Sequence, residues 1–372
     1  MGYVAVKGGT AAIANARKLL ACQRLQGSAD PLAVRQIQEQ LYLAVDRVMS
    51  EGSLYAPTLA ALAIKQAAGD TMEAAFLLRA YRATQPRLGY SLPSQGKDIR
   101  IIRRISAAFK DIPGGQILGP TSDYTLRLLD FDLLEDTPEQ RQAFLEALER
   151  DLDGIKPLPQ TFPKVIDLLR QEGLLVETLG QGPEAGQLYD ITRQSLTFPA
   201  PRSAVLQSMG RGETGGLLLL AYTNMRGYGD IHPTVGELRV GYLPVRIAHP
   251  QTGEPYTIGE VKVTEAEVIA RFEAAEGPPK FTLGYGLCFG HNEIKAIAMA
   301  VLDRAMQTAS PRTPSEDQEF VLSHLDGIES LGFGSHWKLP HYVTFQSDLD
   351  RLRQAQKVSR ELKPEAGNDH AD

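Results

Sequence analysis

The 372-residue sequence predicts an α+β fold, an N-terminal helical domain followed by a mixed, largely antiparallel sheet with packed helices. Two observations carry this. The first hundred residues set apolar side chains at helical spacing, as in Val34, Ile37, Leu41, Val45 and Val48. From about residue 215 onward, short apolar runs alternate with Gly and Pro, as in hairpins.

Taken in order, helices are expected from Ala11 to Leu25, stopped by Gly27, and from Pro31 to Gly52, with Asp30 as N-cap and Pro31 at the first position. Two Ala-rich helices follow, Pro57 to Ala68 and Thr71 to Arg82. A Pro-, Gly- and Ser-rich loop leads to a basic helix, Ile99 to Phe109, with Arg100, Arg103 and Arg104. Residues 111 to 121 carry too many Gly and Pro for a regular element. Helical pieces return at Pro138 to Asp151 and Phe162 to Glu172, and 173 to 200 reads as a connection. Strands are expected at Leu217 to Thr223, Gly236 to Ile247, Tyr256 to Val263 and Phe281 to Phe289. Helices then cover His291 to Met306, Ser315 to Ser330 and Gln346 to Leu362. The expected partition is 1–110, 111–345 and a C-terminal helix with a frayed tail over 346–372.

Composition sets limits on function. Hydrophobic residues make up 43% and charged residues 23%, a globular balance with enough apolar material for a sizeable core. A net charge of -6 argues against a nucleic-acid partner, which asks for a basic face, but leaves room for a local basic pocket. The two cysteines, Cys22 and Cys288, stand far apart without a CxxC pattern. They make neither a disulfide framework nor, in this chain alone, an iron–sulfur cluster, which needs about four thiolates. The first residues lack a signal-peptide apolar run, and no stretch reaches the ~20 apolar residues of a membrane span. The expected location is the cytoplasm, with no membrane partner.

Four stretches could carry chemistry. In Gly334-Ser335-His336-Trp337-Lys338-Leu339-Pro340-His341-Tyr342, two histidines stand five residues apart. A regular helix would hold them about 140° apart, but Pro340 imposes a turned path in which both imidazoles can converge on one metal. The alternative is one core histidine and one turn cap. Zinc asks for three or four ligands, so the pair needs a further donor such as His324 or a partner chain. In Arg226-Gly227-Tyr228-Gly229-Asp230-Ile231-His232-Pro233, Arg226 can fork onto phosphate beside Tyr228 and His232, or the stretch is a glycine-rich turn. Glu237, close behind, is a carboxylate of the kind that stabilises a cationic sugar. Gly114, Gly115 and Gln116 can offer backbone amides to an anion, or form a tight structural turn. Gly284-Tyr285-Gly286-Leu287-Cys288-Phe289-Gly290 precedes a helix, as anion sites do, but its spacing is a poor dinucleotide fingerprint.

Together these stretches resemble the I subunit of carbon–phosphorus lyase. The resemblance is carried by Tyr3-Val4-Ala5-Val6-Lys7-Gly8-Gly9, Leu43 to Met49, Phe76 to Arg82, Lys110 to Gln116, Arg226 to Gly229, His232-Pro233, Gly284 to Gly286 and Lys338 to Val343, in order along nearly the whole chain. It is least over 133 to 200. The resemblance implies a core of subunits G, H, I and J, two copies of each. It implies that the chain acts with G, H and the L protein to displace adenine from ATP with methylphosphonate, giving ribose 1-methylphosphonate 5-triphosphate. It also implies that the isolated subunit is nucleosidase-like, that J breaks the carbon–phosphorus bond, and that His336 and His341 bind a divalent metal, zinc, at the I–J boundary. A scaffold that only lends metal ligands to J, and a stand-alone purine nucleoside triphosphate nucleosidase, are the rival readings.

Overall fold

The computed structural model describes residues 9–27, 30–152, 162–176, 188–226, 232–271, 278–308 and 310–362. By their contacts, Leu32–Ile328 form one compact unit, and the residues up to Pro31 with those from Glu329 onward form a second.

In order, the helices of both units are α1 (Thr10–Gln23), α2 (Val34–Gln40), α3 (Tyr42–Gly52), α4 (Pro57–Gln66), α5 (Thr71–Ala83), α6 (Pro138–Leu152), α7 (Ile166–Gln171), α8 (Arg202–Arg211), α9 (Thr214–Arg226), α10 (Glu293–Ala305), α11 (Gln318–His324), α12 (Gly327–Trp337) and α13 (Tyr342–Glu361). The strands are β1 (Arg100–Ile105), β2 (Thr234–Ala248), β3 (Pro255–Arg271) and β4 (Phe281–Phe289). The four strands form one antiparallel sheet in sequential order, so the α+β expectation holds.

The larger unit begins with helices α2 to α5. They share a core of Ile37, Val45, Val48, Met49, Ala60, Ile64, Ala74 and Leu78, in which buried alanines let helices approach closely. The expected single helix from Pro31 to Gly52 is broken at Leu41 (φ -107°, ψ 38°). Asp70 caps α5 by accepting from the Met72 and Glu73 amides.

The sheet has two unlike faces. One presents Leu238, Val240, Ala266 and Cys288 to α8, α9, α10 and α11. Gly284 and Gly286 of β4 lie on it, and a Cβ there would stand 1.9 Å from Ala300 O and 2.1 Å from Ala296 O. Those glycines allow α10 to lie directly on the strand, which is their evident reason in a motif read as an anion site. The anion at the start of α10 belongs to the chain itself: Asp46 Oδ2 accepts from the His291 amide at 2.9 Å. Lys295, fully buried on α10, ties three helices by donating to Ser50 Oγ and Gly210 O, both at 2.8 Å. Burial lowers its pKa.

Two assignments differ from expectation. Residues 100–105 are a strand, because Arg103 and Arg104 alternate to opposite faces and each meets buried carboxylates. Residues 217–223 are helical within α9. There Leu217, Ala221 and Asn224 are buried at helical spacing, and Glu213 caps the start by accepting from Gly215 N and Gly216 N at 2.7 Å. The expected helix over 315–330 is split into α11 and α12, and α8 was read as part of a connection.

In the smaller unit, α1 and α13 contain no buried side chain. Among the described residues no helix is long and apolar enough to cross a membrane.

Candidate functional site

The histidine turn lies in the smaller unit. His336 sits in the last turn of α12, and His341 is the residue before α13. Pro340 prevents one helix from running through, so the chain turns and the rings meet. Their Nε2 atoms are 3.1 Å apart, with ring planes at 86°. His341 Nδ1 lies 2.5 Å from Leu339 O. A carbonyl can only accept, so this nitrogen carries the proton and Nε2 presents a lone pair. Fixing the far nitrogen in this way is how proteins orient metal-binding imidazoles. Two nitrogens on one tetrahedral zinc, each at ~2.05 Å, stand about 3.3 Å apart, close to the separation found. The donor set therefore fits two ligands of a zinc-like ion. It is incomplete: among the described residues no group of three His, Cys, Asp or Glu side chains is placed to hold a metal. His324 lies in the larger unit, with Nδ1 2.6 Å from Phe320 O. Around the turn, Phe333, Trp337, Tyr342 and Val343 are each more than half exposed, Trp337 by 70%. Such a patch is unusual for a free surface.

The second constellation is the other face of the sheet. Register brings Arg104, Arg239 and Glu265 level, and Glu237, Glu267 and Tyr285 level. Glu237, expected near a sugar, is 2% exposed. Its carboxylate meets Arg104 Nε at 2.6 Å and Arg239 Nη2 at 3.1 Å, and accepts from the Val165 amide at 2.9 Å. The 114–116 loop wraps Arg104 with carbonyls: Pro113 O at 2.6 Å and Gly115 O at 3.0 Å accept from its Nη1. Gly114 has φ +84°, and a Cβ there would lie 2.6 Å from Phe162. Gln116 staples the loop, donating to Phe109 O and Lys110 O and accepting from Ser106 N.

Beside Glu237, Lys164 Nζ bridges Glu265 at 2.9 Å and Glu267 at 2.8 Å. The Tyr285 hydroxyl donates to Glu265 at 3.0 Å. Burial, with help from Glu265, raises the Glu267 pKa against the pull of Lys164. Burial would lower Lys164, but Glu267 and Glu265 outweigh it and raise the pKa. Burial and the neighbouring Glu265 push Tyr285 well above the ordinary phenol. Sequence reasoning missed this trio. The alternation of Glu265 and Glu267 along a strand was the available signal, since charges at i and i+2 share a sheet face.

Arg226 ends α9 and is exposed, as is His232; Tyr228 lies outside the described residues. No hydrogen bond or ion pair among described residues joins Arg226 or His232 to Glu237 or to the 114–116 loop.

Comparison with known proteins supplies the family. The bacterial phosphonate metabolism protein family (PhnI) matches residues 2–359. A putative C-P lyase subunit protein, HtxH, of Stutzerimonas stutzeri is 59% identical over 366 residues, 96% of each chain. Proteins named alpha-D-ribose 1-methylphosphonate 5-triphosphate synthase subunit PhnI are 46% identical in Rhizobium meliloti (strain 1021), covering 95% of each chain, and 47% identical in Escherichia coli (strain K12), covering 95% of this chain and 98% of that one. The chain belongs to the PhnI family of bacterial phosphonate metabolism proteins.

Proposed function

We propose that the chain is the coupling subunit of a cytoplasmic carbon–phosphorus lyase assembly. With subunits G and H and the L protein it joins methylphosphonate to C1′ of ATP. A phosphonate oxygen forms the bond to C1′, the bond from C1′ to the purine nitrogen breaks, and adenine leaves after taking up a proton. The observation that carries this reading is the end-to-end likeness to two chains named as the synthase subunit.

The substitution passes through a cationic sugar, which a nearby carboxylate stabilises. On the charged sheet face Glu237 has both oxygens engaged, so its role is to position Arg104, Arg239 and the 162–165 segment. Glu267 is the better acid or base, since its Oε2 has no hydrogen-bond partner among the described residues. Arg226, His232, Tyr228 and residues 114–116 remain candidates for contacts to the substrate, with the loop acting through Arg104. His336 and His341 would hold a zinc-like ion that supplies Lewis acidity, and subunit J would complete its ligand set. The exposed aromatic side chains beside the pair suit such a partner.

The test is reconstitution. The chain co-expressed with G, H and J, plus the L protein, is given ATP and methylphosphonate. Adenine is followed by chromatography and the phosphonate ester by phosphorus NMR. Adenine and ester in equal amounts support coupling. Adenine without ester, from the chain alone, would make it a nucleosidase. No adenine under any combination would leave the scaffold reading.

A further inference from the structure

The residues expected to cradle phosphate are largely engaged by the fold. Arg103 and Arg104 are fully buried and bound to carboxylates and carbonyls. A different group of arginines is not matched in this way.

Arg79 and Arg82 project from one side of α5, three residues apart. Arg79 Nη1 reaches Asp326 at 2.8 Å, and its Nη2 donates to Arg211 O at 3.1 Å. Arg211 Nε stands 3.4 Å from the same Asp326 oxygen. Arg87, just beyond α5, pairs with Asp190 and donates to Thr192 Oγ1 at 2.9 Å. Arg82 is half-buried among them, and its guanidinium makes no hydrogen bond or ion pair with any described residue. Burial lowers its pKa, and repulsion from Arg87, Arg211 and Arg79 lowers it further, so the four guanidiniums lie within each other's field. The carboxylates facing them are Asp326 and Asp190, two for four cations. The Arg79 Nε–H is buried with no acceptor among the described residues.

A fold gains nothing by gathering like charges and leaving one without a counter-ion. The gathering is explained by an anion that arrives from outside. Guanidiniums fork onto phosphate oxygens, and four of them on α5, α8 and the loop after α5 exceed what one phosphate engages. The net charge of -6 argues against a nucleic-acid polyanion.

We propose that Arg79, Arg82, Arg87 and Arg211 form a binding site for a short chain of phosphate groups, the polyphosphate of a nucleotide. Assigning the anion to a nucleotide rests on the coupling reading; the cationic site does not.

The full-length chain is titrated with inorganic tripolyphosphate, orthophosphate and ATP, by calorimetry and by thermal shift. Tripolyphosphate should raise Tm and bind at least tenfold more tightly than orthophosphate, and ATP should compete with it. Arg82→Gln should weaken tripolyphosphate at least tenfold. Because Arg82 holds no partner, the unliganded variant should melt at or above the parent temperature, whereas loss of a structural arginine lowers Tm. Arg353→Gln, on α13, should change nothing. Parent-like tripolyphosphate binding by Arg82→Gln, no binding by the parent, or equal affinity for orthophosphate would each overturn the site. The two readings fail separately. A complex that couples ATP to methylphosphonate while tripolyphosphate ignores Arg82 loses only this site. Binding through Arg82 without coupling loses only the proposed reaction.

Discussion

Two charged regions of the larger unit look alike in sequence and differ in bookkeeping. On the sheet face, Arg104, Arg239 and Lys164 meet Glu237, Glu265 and Glu267, cation for carboxylate. On α5, Arg82 is left over from a group that includes Arg79, Arg87 and Arg211. A matched network is chiefly architecture, because each buried charge is held by its opposite. An unmatched cation is an opening for a ligand. Within the sheet face the same rule singles out Glu267, whose second oxygen is unbonded among the described residues.

The largest expected effect is in the matched network. Arg104→Ala would leave Glu237 facing Arg239 alone and free the carbonyls that wrap Arg104. Breaking such a buried pair costs about 3–5 kcal/mol. Urea unfolding should show that loss, and a loss under ~1 kcal/mol would mean that the network is not structural.

The apolar face gives the next effect. Gly286→Ala puts a Cβ against Ala296 O and should cost about 1–3 kcal/mol, because α10 must lift off β4. A stability equal to the parent would show that the glycine is not there for packing.

Glu267→Gln gives a smaller, pH-dependent effect. The folded pKa of Glu267 is raised, so burying it is favourable below the ordinary carboxylate range and loses stability as pH rises through the folded value. Gln does not ionise. The Tm of the variant minus that of the parent should therefore increase from pH 5 to pH 8. A difference independent of pH would remove Glu267 from the titrating groups.

The thiols give the smallest effect. Burial pushes Cys288 up to about 11, while Cys22 is exposed. Iodoacetamide at pH 8 should label Cys22 alone in the native chain. Two labels would place Cys288 nearer to solvent than its burial implies.

Much of the fold is legible in the sequence for a plain reason. Val34, Ile37, Val45 and Val48 repeat at helical spacing and are either core or packed against it. Three of the strands also announce themselves by Gly and Pro at their ends. Two errors have one cause, which is that short apolar or basic runs do not fix a period. Arg100, Arg103 and Arg104 read as a helix face, yet buried carboxylates make them good strand residues. Leu217 to Leu220 read as a strand, but Glu213 placed to cap Gly215 and Gly216 marks a helix start. At the site, the Pro340 turn could be argued from residue type, because proline restricts the chain locally. Arg82 and the Lys164 bridge could not, since they depend on partners from distant parts of the chain such as Arg211, Asp326 and Glu267.

The histidine turn carries the same idea into the smaller unit, as two lone-pair donors brought together with no third among the described residues. Zinc content of the assembled complex, measured by mass spectrometry on the parent, His336→Ala and His341→Ala, tests it most directly. Either substitution should remove one metal ion per copy of this chain while the subunits stay assembled. Unchanged zinc in an intact complex would contradict the account.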